Sequence, residues 1–167
     1  LSSDKEVKIS ISSPMRLSGE GVCRIENIPQ ISDTDMLLTI LSEMGSKVRI
    51  INKSTVEIDC TSVSKEGAPY DLMRKIRASY YLIGAMLGRF GSAKTTMPGG
   101  CNFGVRPIDQ HIKGMTALGA QVEVKGGFVY ADAPNGVLTG SKVYLDKVSV
   151  GATMNIMIAA CKAQGKT

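Results

Sequence analysis

The chain is similar to itself. Displaced by 74 positions, the separation of Asp35 from Asp109, SDTDMLLTILSEMGSKVRI (Ser32–Ile50) falls on RPIDQHIKGMTALGAQVEV (Arg106–Val124). Leu38 meets Ile112, Leu41 meets Met115, Met44 meets Leu118, Gly45 meets Gly119 and Val48 meets Val122. The same displacement lays ASYYLIGAMLGRFG (Ala78–Gly91) on ATMNIMIAACKAQG (Ala152–Gly165). Self-similarity of this length marks a duplicated supersecondary unit. The fold must therefore accept one order of elements twice.

Each unit can be read locally. Leu37, Ile40, Leu41 and Met44 stand at helical spacing behind the cap-type residues Ser32 and Asp33. In the second copy Pro107 suits a first helical turn, and Ile112, Met115 and Leu118 form the apolar stripe. Gly45 and Gly119 stand where helices stop. Strands are expected at Lys47–Ile51 and Gln121–Lys125, then at Val56–Cys60 and Phe128–Asp132, with turns at Asn52-Lys53 and Gly126-Gly127. Further strands are expected near Val22–Ile25 and at Lys142–Leu145. The segments Ala78–Phe90 and Val150–Ala163 are apolar or small almost all round, so helices there should be buried on most sides. The expected class is α/β in the mixed α+β sense. Repeated βαβαββ-type units would place buried helices at the centre and a mixed sheet outside.

Composition narrows the class. A chain of 167 residues with 43% hydrophobic and 21% charged residues can bury a real core, and is read as one domain, residues 1–167. The net charge of +5 suits an anionic partner. The Lys and Arg are scattered without a dense run or interleaved aromatics, which argues against nucleic acid. Four cysteines without a C-x-x-C pair, and one histidine, argue against a metal site and a disulfide framework, and so for a reducing cytoplasm. Cys23, Cys60 and Cys161 read as core thiols from their apolar or strand settings. No signal peptide opens the chain, and its longest uncharged run, Val148–Cys161, is too short to span a bilayer. The chain begins at Leu1 rather than Met, as a fragment or processed product would. GRFGSAKTT and the terminal AQGKT look like phosphate loops at a glance. Both fail the required glycine-lysine spacing, which excludes ATP binding by that route.

A repeat supplies its own control: positions alike in both copies are structural, and positions where one copy gains reactive chemistry are candidates for function. Cys101 meets Asn27, Arg106 meets Ser32, and Arg77 meets Gly151. The second copy's connection, PGGCNFGVRPID, carries glycines, a thiol and a guanidinium, whereas the first reads NIPQISD. Arg106 can fork onto a phosphate or carboxylate. A thiol beside cations near a helix start has its pKa lowered and can exchange a proton or attack a ligand. The same residues also allow an unreactive Cys in an ordinary glycine loop. In DKVSVGATMNIM, Ser149 is a natural cap, and the helix start behind it is either an anion site or simply well capped. Arg77 opens an otherwise apolar helix, where its charge needs a partner such as a ligand anion. His111 reads as a helix-face residue beside the loop.

PGGCNFGVRPID (Pro98–Asp109), APYDLMRKIRASYYLIG (Ala68–Gly84) and DKVSVGATMNIM (Asp146–Met157) together resemble the bacterial UDP-N-acetylglucosamine enolpyruvyltransferases. The match runs in order from about Val22 to Thr167. The related shikimate-pathway enolpyruvyltransferases share the repeat but not this loop. The resemblance implies an inside-out barrel domain. It implies transfer of the enolpyruvyl group of phosphoenolpyruvate to the sugar 3-hydroxyl with release of phosphate, without metal or organic cofactor. That is the first committed step of peptidoglycan synthesis in the cytoplasm, and so bears on cell-wall biogenesis, cell shape and division. It further implies that Cys101 is the proton donor and the thiol alkylated by fosfomycin. Arg106, Pro107, Ile108, Asp109 and Gln110 would contact the nucleotide sugar, as would Lys147, Val148, Ser149, Val150 and Arg77. No nucleic acid or membrane partner is implied.

Residues 1–21 do not align cleanly with that pattern, and its N-terminal Lys-Asn pair is not found. The family's complete chain has two such domains. Its catalytic aspartate and a further phosphate-binding arginine would lie beyond Thr167, so these residues alone are expected to turn over poorly. Other readings are an enolpyruvyltransferase for another acceptor, a non-catalytic sugar-nucleotide-binding module, and a basic nucleic-acid-binding domain.

Overall fold

The computed structural model describes residues 8–11, 21–97 and 108–167. Cys101, Arg106 and Pro107 lie outside these residues. The chain divides into two compact units, Leu1–Ser64 and Lys65–Thr167.

The first unit is a sheet with one helix. Strands β1 (Lys8–Ile11), β2 (Val22–Glu26), β3 (Lys47–Asn52) and β4 (Thr55–Asp59) form it, with helix α1 (Ser32–Glu43) between β2 and β3. The order is β1-β2-β4-β3, and each pairing is antiparallel. Alternation sorts its two faces. Cys23, Ile58 and Val48 share one row, and on β4 Val56 and Ile58 are buried. The opposite face carries Arg24, Glu57 and Arg49, joined as surface ion pairs. The expected cap is corrected: Ser32 lies inside α1, and Ile31 takes the capping position without a side-chain bond. Asp33 and Asp35 in the first turn instead place negative charge against the helix dipole. Ile40 and Met44 are buried, and Leu37 and Leu41 are half-buried.

The second unit repeats the plan. It contains α2 (Tyr70–Met73), a 3₁₀ turn (Arg77–Tyr80), α3 (Tyr81–Phe90), β5 (Ser92–Thr96), α4 (Asp109–Ala117), β6 (Gln121–Lys125), β7 (Phe128–Asp132) and α5 (Val150–Ala160). Its sheet order, β5-β7-β6, reproduces β2-β4-β3. α1 and α4 end alike. Gly45 N–H donates to Ser42 O and Ser46 N–H to Leu41 O; Gly119 N–H donates to Thr116 O and Ala120 N–H to Met115 O. The glycines have φ of +99° and +87°, a conformation that costs other residues about 1–2 kcal/mol. The copies also differ in spacing. The displacement falls from 74 between Lys47 and Gln121 to 73 between Thr55 and Phe128, because β3 takes an irregular step between Ile50 and Asn52.

Two expectations are corrected. Lys142–Leu145 forms no strand; nearby, only an isolated parallel bridge joins Thr139 to Gln164. Tyr144 there is exposed, so that segment's alternation does not reflect a buried face. The sheets are also antiparallel throughout their named strands rather than mixed.

The two apolar helices pack on each other. Tyr80 lies over Gly151, Gly84 meets Asn155, and Gly88 meets Ala159. These contacts advance by four residues on both partners, so α3 and α5 run parallel through a seam of small residues. α4 packs on α5 where the Ile156 side chain fills the space above Gly114. α3 is buried as expected, through Leu82, Ile83, Met86 and Leu87. α5 is not: Val150, Met154, Met157 and Ile158 are exposed, as is Cys161, which corrects its reading as a core thiol. Small residues hold α5 to its neighbours along one stripe.

Candidate functional site

The first turn of α4 and the segment before α5 are joined side by side. Ile108 caps α4 and is buried, and Asp109 opens the helix. Gln110, only 7% exposed, is engaged at both ends of its amide. Its Oε1 accepts the Asp146 N–H at 2.9 Å, while its Nε2 donates to Asp109 Oδ2 at 3.0 Å and Asp146 Oδ2 at 3.4 Å. Lys113, one turn along α4, pairs with the Asp146 carboxylate. The structure thus joins Gln110 to Asp146, the residue before Lys147, and sets the Lys147 charge near Asp109.

The electrostatics of this cluster are balanced. The bonds from Lys113 and then Gln110 hold the Asp146 carboxyl below its ordinary value. Asp109 is lowered by the Gln110 side chain, with Lys147 contributing. Both carboxylates are charged at neutral pH, so neither is poised as a proton donor. Lys147 is exposed beside them. Ser149 performs the expected capping: its Oγ accepts the Ala152 N–H at 3.2 Å, and its carbonyl accepts from Thr153 Oγ1 at 2.9 Å. Val148 and Val150 on either side are exposed. Arg77 opens the 3₁₀ turn that leads into α3.

Behind this surface lies a buried polar group. Asn155 is fully buried on α5. Its Oδ1 accepts the Gly84 N–H at 2.9 Å; its Nδ2 donates to the Tyr80 carbonyl at 3.0 Å and lies 3.1 Å from His111 Nδ1. His111 is itself buried, edge-on to the Tyr80 ring at 4.7 Å between centroids. Sequence reasoning missed Asn155, Asp146 and Lys113. Asn155 could have been found as the one amide inside the apolar run Val148–Cys161. Lys113 and Asp146 carried no such signal.

The first copy offers the control. The segment matching the second copy's loop lines an open groove of about 470 Å³ with the start of α1 and the Asn52–Ser54 turn. Ser32 stands there in place of Arg106. Among the described residues no group of three or more His, Cys, Asp or Glu could hold a metal ion.

Comparisons with known proteins agree with one another. The family model described as EPSP synthase (3-phosphoshikimate 1-carboxyvinyltransferase) matches residues 17–167. UDP-N-acetylglucosamine 1-carboxyvinyltransferase of Clostridium botulinum is 46% identical over 167 residues, which is 100% of this chain and 40% of that protein. UDP-N-acetylglucosamine 1-carboxyvinyltransferase 2 of Listeria monocytogenes is 51% identical over 154 residues, 92% of this chain and 36% of that one. The chain therefore spans about two fifths of the curated relatives it matches. Among solved structures, the enolpyruvyl transferase NikO from Streptomyces tendae superposes with a TM-score of 0.72 at 22% identity, covering 89% of this chain and 35% of that one. EPSP synthase from Acinetobacter baumannii gives 0.67 at 19%, covering 93% and 38%. These two likenesses establish the fold.

Proposed function

We propose, for a chain that belongs to the EPSP synthase family of carboxyvinyltransferases, that the protein containing it transfers the enolpyruvyl group of phosphoenolpyruvate to the 3-hydroxyl of UDP-N-acetylglucosamine. The observation that carries this reading is the 46% identity to the Clostridium botulinum enzyme along the whole of this chain. The geometry supports it: the two segments expected to contact the nucleotide sugar are stapled together through Gln110 and Asp146.

In this reading Cys101 delivers a proton to C3 of phosphoenolpyruvate while the sugar hydroxyl attacks C2. The hydroxyl loses its proton, and a tetrahedral adduct forms. Loss of a C3 proton and of phosphate then restores the double bond on the sugar ether. Arg106 faces the anionic substrate, and the glycines of the loop let it close and exclude water. Arg77, Arg106–Gln110 and Lys147–Val150 form this chain's share of the nucleotide-sugar wall. Residues 1–167 act as one partial domain, and a second domain of the same protein supplies the rest. The reaction is cytoplasmic, needs no cofactor, and is blocked by fosfomycin at Cys101. Among the described residues no helix is long and apolar enough to cross a membrane.

The test uses the complete reading frame. Phosphate release from phosphoenolpyruvate is measured with UDP-N-acetylglucosamine or shikimate 3-phosphate as acceptor, with Cys101→Ala in parallel. Release with the nucleotide sugar alone, falling by about 10²-fold or more in the variant, is expected for a lost proton donor. Release with shikimate 3-phosphate instead would move the assignment to another acceptor. A folded protein inactive with both would leave a sugar-nucleotide-binding module.

A further inference from the structure

Among the described residues, Asn155 stands on one helix that carries candidate contact residues and touches the 3₁₀ turn of Arg77 and helix α4, which carry others. Its Nδ2 reaches the carbonyl of Tyr80, three residues after Arg77, and its Oδ1 takes the N–H of Gly84 on α3. Its Nδ2 also reaches His111, the residue after Gln110 on α4. It stands on α5, less than two turns after Ser149 and Val150. The amide can face only one way. Reversed, it would set NH₂ against the Gly84 N–H and oxygen against the Tyr80 carbonyl, donor facing donor and acceptor facing acceptor in a buried seam. Two backbone groups therefore dictate that His111 Nδ1 meets a donor. The ring must then accept at Nδ1 and carry its proton on Nε2.

We propose that Asn155 is a positioning residue that holds Arg77, the Ile108–Gln110 turn and the start of α5 in one register, with His111 locked as its Nε2–H tautomer. The tautomer part stands on geometry alone, and the effect on substrate rests on the function proposed above. Neither Asn155 nor His111 is among the residues proposed to contact substrate. Asn155 acts through the backbone of α3 and the ring on α4, which is why α5 keeps an amide in its apolar seam at the cost of burying it.

The test reads the two parts separately in the full-length protein. With ¹⁵N-labelled histidine, the His111 signals are identified by their loss in His111→Asn, at a pH well above the ordinary imidazole value of about 6.5. A pyrrole-type Nε2 and a pyridine-type Nδ1 are expected in the wild type. In Asn155→Asp the carboxylate draws a proton onto Nδ1, so that nitrogen should become pyrrole-type. A wild-type ring with its proton on Nδ1 overturns the proposal, whether or not any variant folds. For binding, the Kd for UDP-N-acetylglucosamine should rise about tenfold in Asn155→Asp, as one lost hydrogen bond's worth of positioning predicts. His111→Asn, which still offers an acceptor near Nδ1, should retain more affinity than His111→Leu, which packs but leaves the amide unpaired. Equal affinity in wild type and Asn155→Asp, or His111→Leu binding as well as His111→Asn, would reduce Asn155 to a packing residue. Absence of enolpyruvyl transfer would defeat the functional assignment and leave the tautomer result standing.

Discussion

Thr95 and Thr96 are buried on β5, and among the described residues neither hydroxyl oxygen has a hydrogen-bond partner. Asn155 is equally buried, yet each end of its amide is matched. The contrast gives opposite expectations for apolar replacement. Thr95→Val and Thr96→Val keep the shape and remove an unsatisfied group, so each should leave stability unchanged or raise it by up to about 1 kcal/mol in denaturant titration. A loss larger than that would mean the hydroxyls have partners in solution. Neither threonine stood out in the sequence, since a strand shows alternation but not which hydroxyls find acceptors.

The parallel pair α3 and α5 depends on side chains that are absent. A methyl group at Gly84 would collide with the backbone oxygen and side-chain oxygen of Asn155, neither of which can move without breaking the seam. At Gly114 it would meet the outer carbons of the Ile156 side chain, which can rotate away. Gly84→Ala should therefore destabilise by about 1–3 kcal/mol or more, despite alanine's better helix propensity, and Gly114→Ala by clearly less. Equal melting temperatures for the two variants would contradict this packing. The junction of α4 with the start of α5 makes a pH prediction. Lys113 and Gln110 hold Asp146 below its ordinary value of 3.8. A depressed carboxylate stabilises above its unfolded pKa, and that contribution is lost as pH falls through the lower folded value. Acid unfolding below about pH 4 should thus be shallower in Asp146→Asn, which starts from a lower neutral-pH stability. Superimposable acid limbs would show that the pair contributes nothing.

At the scale of the whole chain, duplication gives two sheets that share a three-strand order and leaves one copy free to carry different chemistry. The second copy's additions concentrate in the connection before α4 and in the segment before α5, and the structure joins the ends of those segments that it describes. The chain also presents an apolar stripe on α5, with Met157 63% exposed. Such a stripe binds apolar dyes. Dye fluorescence with the 167-residue chain should fall on Met157→Lys, and an unchanged signal would mean the stripe is covered in solution.

The amino-acid sequence alone determined the duplication, read by laying the chain on itself; it also determined the extents of β6 and β7, the glycine ends of α1 and α4, and the serine cap of α5, which depend on neighbours within a few positions. Resemblance added the family and the site residues it implies. Tertiary structure alone decided what long-range contact decides. Lys142–Leu145 alternates like a strand yet finds no ladder. Ser32 is a cap by type but not by place, since the chain enters α1 one residue earlier than its composition suggests. α5 is apolar or small almost all round, and only the arrangement of its neighbours shows that one stripe is packed and the other exposed. The partners of Asn155 lie 44, 71 and 75 positions away, beyond the reach of any local pattern.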